Sequence, residues 1–273
     1  MPLKDILVHV DNSGHCKARI DTAHDLARAH GAHLTGFFAR VRMARPTYVG
    51  AELDLGIQRR FTQVVEEEER KAQQLFRGRL GDSGTWCAVK GDPSEVAVRL
   101  ARYSGLVVIG QQNPEIQAPG GEAVPDRLIL SAGRPVLVVP GGGQFPTIGR
   151  CVIVAWDGSR ASSRAVHDAM PLLIRAGEVT VVSVYPGGSR EDGEEPGARL
   201  ADHLLRHGVN VRARTVYAGE LSVGDVLISR TAKDGADLLV MGAYGHPRWK
   251  ELVLGGTTRH MLDHMTTPVF MSH

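Results

Sequence analysis

Cysteine is scarce in this chain. Three residues, Cys16, Cys87 and Cys151, occur among 273, and none forms a CxxC pair. A disulfide framework is therefore not expected, and the pattern fits a reducing compartment. Long apolar runs are also missing, since none approaches the roughly 20 residues that crossing a bilayer requires. Met1 leads into Pro2-Leu3-Lys4-Asp5 without an apolar stretch behind a basic start, so no signal peptide is read. The expected location is the cytoplasm, with no membrane partner. An excess of one charge is absent as well. Formal net charge is +2, and there is no basic tail or lysine-arginine block, so no nucleic-acid partner is expected. The run Glu66-Glu67-Glu68-Glu69 falls in a helical-looking stretch and reads as a solvated helix face.

Several catalytic and metal signatures are lacking too. No GxxxxGK loop and no GxGxxG fingerprint occurs, which removes support for a P-loop NTPase or a dinucleotide enzyme. Ser159 lies near Asp157 but opens a turn and makes no nucleophile elbow, so no Ser-His-Asp arrangement and no catalytic residue is assigned. His203 and His207 fall at helical i, i+4 spacing, as do His260 and His264. Two imidazoles so spaced can hold a metal, but no HExxH glutamate and no third ligand is evident, and no metal site is expected.

What is present is a soluble globular composition, 42% hydrophobic and 23% charged, in a chain long enough for two ordinary domains. The chain repeats itself. DILVHVDNSG at 5–14 parallels RCVIVAWDGSR at 150–160, each an apolar run followed by Asp and a small polar turn. A helical stretch follows in both and is read as stopping at Gly31 and Gly177. WCAVKGDPSEVAVRLARYSGLVVIGQQN at 86–113 parallels 212–245, and RPVLVVP at 134–140 parallels TPVFMSH at 267–273. Domains are placed at 1–140 and 150–273, joined by a Gly/Pro-rich linker at 141–149.

Each half alternates strand and helix. The first half reads as strands near 4–10, 33–40, 84–89, 105–110 and 135–139. Helices fall near 17–30, 58–80, 93–103 and 124–132, and 42–58 reads as a long connection. Runs such as LVVIG are apolar at nearly every position, which suits parallel strands covered on both faces. The fold class is therefore α/β: two tandem doubly wound domains, each a five-stranded parallel sheet flanked by helices. Ligands of such sheets bind beyond the carboxyl ends of the strands, where strand order reverses.

In the second half, the residues after these strands are Asp157-Gly158-Ser159 and Gly242-Ala243-Tyr244-Gly245. Nine residues later comes Gly255-Gly256-Thr257-Thr258, opening a helix. Glycines let backbone amides approach an anion, and a helix start adds free amides and a favourable dipole. Thr257 and Thr258 offer hydroxyls or caps. Asp157 is an acceptor for a ribose hydroxyl or an adenine amino group. The plainer alternatives are a strand end at Gly242, a simple turn at Gly255-Gly256, and a helix cap at Asp157.

Gly-x-x-Gly, nine residues, then Gly and a small hydroxyl residue resembles the signature of ATP-binding universal stress proteins. The DGS turn and the terminal PV-containing strand are similar to that family as well. The resemblance implies ATP in the second half, with AMP or ADP as alternatives and Mg2+ as a companion ion. It implies that main chain around Ala155 and Val184 and the side chain of Asp157 hold adenine or ribose. Met241, Gly242, Gly245, Gly255, Gly256 and Thr257 would surround ribose and phosphates. Gly256 stands where the family has Ser, Thr or Asn, which moves the first hydroxyl to Thr257. The resemblance further implies that the domains of one chain pair through their terminal strands, and that two chains form a homodimer.

The first half lacks this loop. Aligned through Pro135 and Pro268, Glu122-Ala123-Val124-Pro125 stands opposite Gly255-Gly256-Thr257-Thr258, and Asn113 replaces the second Gly of Gly-x-x-Gly. Glu122 would repel phosphate and Pro125 has no amide hydrogen to donate. Gly120-Gly121 could restore the loop only through a slipped alignment. Asp11 is read as a helix cap. No triphosphate is expected in this half. His246, Arg248, Trp249 and Lys250 lie between the glycine turns and are read as screening phosphate, covering the nucleotide, docking a subunit or keeping a loop soluble. The leading functional reading is an ATP-binding regulatory stress protein and not an enzyme. Its rivals are a slow ATPase, with Asp157 as the candidate base or metal carboxylate, and a nucleotide-free member that acts through protein contacts or another small ligand in the first half.

Overall fold

The computed structural model describes residues 2–41, 51–111, 124–185, 196–245 and 256–273, with only the backbone of 51–55 and 196. The first half runs β1 (Asp5–His9), α1 (Cys16–His30), β2 (His33–Arg40), α2 (Ala51–Leu80), β3 (Thr85–Lys90), α3 (Pro93–Ala101), β4 (Leu106–Gly110), α4 (Val124–Ser131) and β5 (Val136–Val139). The second half repeats it: β6 (Cys151–Ala155), α5 (Arg160–Leu173), β7 (Glu178–Tyr185), α6 (Pro196–Arg206), β8 (Val211–Tyr217), α7 (Val223–Lys233), β9 (Leu238–Gly242), α8 (Gly256–His264) and β10 (Val269–Ser272).

The two five-stranded parallel sheets merge into one of ten strands, ordered β3-β2-β1-β4-β5-β10-β9-β6-β7-β8. Only the seam is antiparallel, with Val138, Leu137 and Val136 facing Val269, Phe270 and Met271. The pseudo-equivalent terminal strands of one chain thus pair with each other. The order reverses between β1 and β4, and again between β6 and β9.

The continuous apolar runs feed both faces of the sheet. Leu106 and Val108 join one cluster, and Val107 and Ile109 the other. The first face is closed by Ile20 of α1, Phe76 of α2, Val166 of α5 and Leu204 of α6. Val96 of α3, Leu128 of α4, Leu227 of α7 and Met261 of α8 close the second. Each such buried apolar side chain stabilises the fold by about 1.5–3 kcal/mol relative to exposure.

Three local expectations are corrected. Helix α2 begins at Ala51, not near 58, so the connection is shorter than read. Gly56 weakens the helical signal there, but good helix formers on either side carry the helix through it. Gly31 does close α1, with φ of 58°. Gly177 closes nothing, because α5 already ends at Leu173 and its cap Ile174 keeps an ordinary φ of −62°. The glutamate run is not simply solvated. Glu69 pairs with Arg40 of β2, and Glu68 accepts from the Asn12 amide at 2.6 Å.

Candidate functional site

In the second half, β6 and β9 end side by side at the reversal point, and each is followed by a polar turn. Asp157 accepts from the Ser159 amide at 2.9 Å, which bends the chain into α5. The helix cap is Ser159, whose hydroxyl accepts from the Ser162 amide at 3.1 Å. Asp157 therefore shapes the turn and leaves capping to its neighbour. The first turn of α5 lies hard against β9. A Cβ on Gly242 would fall 2.4 Å from the Ser162 nitrogen and 2.6 Å from the Ala161 carbonyl carbon. Glycine is required at 242 by this approach of backbone to backbone. Gly245 sits over the same turn, with its Cβ position 3.1 Å from Ser159 Oγ.

Helix α8 joins from the other side. The Tyr244 amide donates to Thr258 Oγ1 at 3.2 Å, so the glycine turn and the start of α8 are tied together. Thr258 is 4% exposed and serves as this brace. Thr257 is half-buried and Gly256 exposed at the helix start. A Cβ on Gly256 would meet no described atom within 4 Å. Ala155 and Val184, at the ends of β6 and β7, are partly buried and pack on the second core cluster. Met241 is buried in that cluster. Gly255 lies outside the described residues, as do His246, Arg248, Trp249 and Lys250. The described part of the set thus converges on one place: a polar turn, a glycine turn and two helix starts around the ends of β6 and β9.

Residues 150–273 match the model of the universal stress protein family. That match covers the second half of the chain. A universal stress protein of Synechocystis sp. is 31% identical over 169 residues, which are 60% of this chain and 56% of that relative. The match thus spans little more than half the length of the curated relative. A solved universal stress protein from Archaeoglobus fulgidus is 17% identical, with a TM-score of 0.73 over 98% of this chain and 95% of its own. A structure from Pseudomonas aeruginosa, also 17% identical, gives a TM-score of 0.57 over 99% and 93%. At such identity these likenesses speak for the fold, and they extend it across both halves.

The first half of the chain treats the same place differently. Asp11 makes the same turn as Asp157, accepting from the Ser13 amide at 3.0 Å. It is not a helix cap, since α1 is capped by His15 without a side-chain bond. Its carboxylate instead meets the guanidinium of Arg19, with Nη2 2.8 Å from Oδ1. Arg19 is 3% exposed and its Nε donates to the His9 carbonyl at 2.7 Å. The equivalent of Arg19, counting from the aligned aspartates, is Ala165. The guanidinium lies over Gly110, the counterpart of Gly242, where a Cβ would fall 2.2 Å from Nη1. Burial, and then the cation of Arg19, lower the His9 pKa from 6.5 to about 4. Although burial opposes it, Arg19 with His9 and the Ser13 bonds holds the Asp11 carboxyl far below the usual range. Asn113, Gly120, Gly121 and Glu122 lie outside the described residues.

The histidine pairs also acquire neighbours. His167 of α5 brings its ring 5.7 Å from that of His203, itself 4.7 Å from His207. The spacing of 203 and 207 gives no hint of His167, which arrives from another helix. His260 is bonded to Asp225 at 2.9 Å. Among the described residues no group of three His, Cys, Asp or Glu has metal-holding geometry. None of the described helices is long and apolar enough to cross a membrane.

Proposed function

We propose that residues 150–273 bind an adenine nucleotide, ATP first among them, as a regulatory ligand. The observation that supports this reading is the bond from the Tyr244 amide to Thr258 Oγ1, which ties the glycine turn to the start of α8. Amides from both would face the phosphates, and the α8 dipole would favour the negative charge. The partly apolar strand ends at Ala155 and Val184 offer a surface for the base, and Asp157 an acceptor for the ribose. Among the described residues nothing comes within 4 Å of a Cβ position at Gly256, which favours close approach of a phosphate oxygen to the main chain.

The test is calorimetric titration of nucleotide-stripped protein with ATP, ADP and AMP, with and without Mg2+. Gly256→Asp is the paired variant. Its side chain finds room, and a carboxylate at a helix start does not harm the fold. The expected result is one site per chain, weakened at least tenfold in the variant, with an unchanged urea midpoint. No binding at millimolar ATP would refute the proposal. A turnover assay accompanies it. Sustained hydrolysis abolished by Asp157→Ala would replace the regulatory reading with an ATPase.

A further inference from the structure

Both ends of α8, which carries Gly256, are held by the first half. At its start, Asp126 in the first turn of α4 faces Arg259 at 4.0 Å and accepts from the Tyr244 hydroxyl. At its end, the Gln111 amide donates to the carbonyls of Leu262 at 2.8 Å and Asp263 at 3.1 Å. Gln111 is itself fixed by the Gly141 amide at 2.9 Å. Asp126 and Arg259 are equivalent positions when the halves are aligned through Pro135 and Pro268, so the contact crosses the pseudo-twofold axis between the halves.

Tyr244 is the unusual member. Among the described residues it is the only non-glycine with positive φ, at 54°. A tyrosine resists that conformation because of its Cβ. It is kept there by two bonds, the amide to Thr258 of its own half and the hydroxyl to Asp126 of the other. The glycine turn of the second half thus takes its shape partly from a carboxylate in the first. Side-chain exposure at Asp126 is 19%, so the anchor is largely shielded from competing water.

We propose that Asp126, acting through Tyr244, is a positioning residue that sets the nucleotide loop of the second half from the first. This rests on the nucleotide reading above for its purpose, while the latch itself does not depend on it. The partners of Asp126 among the described residues are the Tyr244 hydroxyl and Arg259. An effect of Asp126 on ATP affinity is therefore an effect across the halves.

The experiment measures ATP affinity, urea midpoint and amide hydrogen exchange at Tyr244 in the full chain. The variants are Asp126→Ala, Tyr244→Phe, their double and Tyr244→Gly. Each of the first two should weaken ATP about tenfold, and the double should be no weaker than either, because both break one latch. Exchange at residue 244 should accelerate in Asp126→Ala and Tyr244→Phe without nucleotide, while the urea midpoint stays close to wild type. Tyr244→Gly should regain most of the affinity, since glycine adopts positive φ freely; a merely structural hydroxyl contact would give no such rescue. Wild-type exchange and wild-type affinity in Asp126→Ala would overturn the proposal. If the wild type binds no ATP and Asp126→Ala still accelerates exchange at Tyr244, the latch stands and the nucleotide reading falls. If neither occurs, both fall.

Discussion

Asp11 and Asp157 occupy the same place in the two copies and build the same turn, accepting from Ser13 and Ser159 at 3.0 and 2.9 Å. What comes next in space differs. In the first half a buried arginine from α1 fills the space over the end of β4. In the second, alanine stands in its place, and the first turn of α5 packs directly on Gly242. The fold is common to both, so the strand ends alone do not set what stands beyond them. One side chain, supplied from inside the protein, puts a cation where the other copy presents bare backbone. The first half covers its turn with a side chain from α1; the second covers it with the main chain of α5.

The largest expected difference comes from making one substitution in each half. Gly242→Ala drives a Cβ into the backbone of α5 and should cost about 3 kcal/mol. Gly110→Ala meets side-chain atoms of Arg19 and no backbone, so it should cost less, about 1–2 kcal/mol. Equal shifts in urea unfolding would break the comparison. Next in size is Arg19→Leu, which keeps bulk but removes the cation. With Asp11 a third exposed, the loss should be about 2 kcal/mol. A variant as stable as wild type would show that the pair is dispensable.

The smallest effect is one of pH. Folded His9 titrates at about 4 against 6.5 in the unfolded chain. It therefore stays neutral in the fold while the unfolded chain takes up a proton, and the stability it contributes above pH 6.5 is lost as pH falls towards 4. Stability should therefore slope downwards over that window. His9→Gln should flatten this part of the curve, and an unchanged slope would assign it elsewhere. The second half has Ala155 at the matching position and no such titration.

Much of this was readable from the sequence, and the reason is physical. Apolar runs such as LVVIG can be satisfied only by burial on both faces, so strands and layers follow from them. The internal repeat then places both reversal points, and Gly242 marks one of them. Arg19 escaped because a single arginine in an amphipathic helix looks like a surface residue, and its partner Asp11 has a plausible local role as a cap. Tyr244 escaped for a different reason. Its anchor Asp126 is 118 positions away in the chain, and no local pattern announces a positive φ at a tyrosine. The start of α2 was hidden by Gly56, where local propensity and the extended helix disagree.

The antiparallel seam between β5 and β10 has one more consequence. Two separate copies joined there would have to find each other, and their pairing would weaken on dilution. Tethered in one chain, they meet at a fixed effective concentration. A separate pair would also share one sequence, so an arginine beyond the strand ends of one copy would stand in both. Fusion lifts that constraint. A single polypeptide can let one copy place an arginine beyond its strand ends while the other keeps alanine there, and the difference is inherited as a unit.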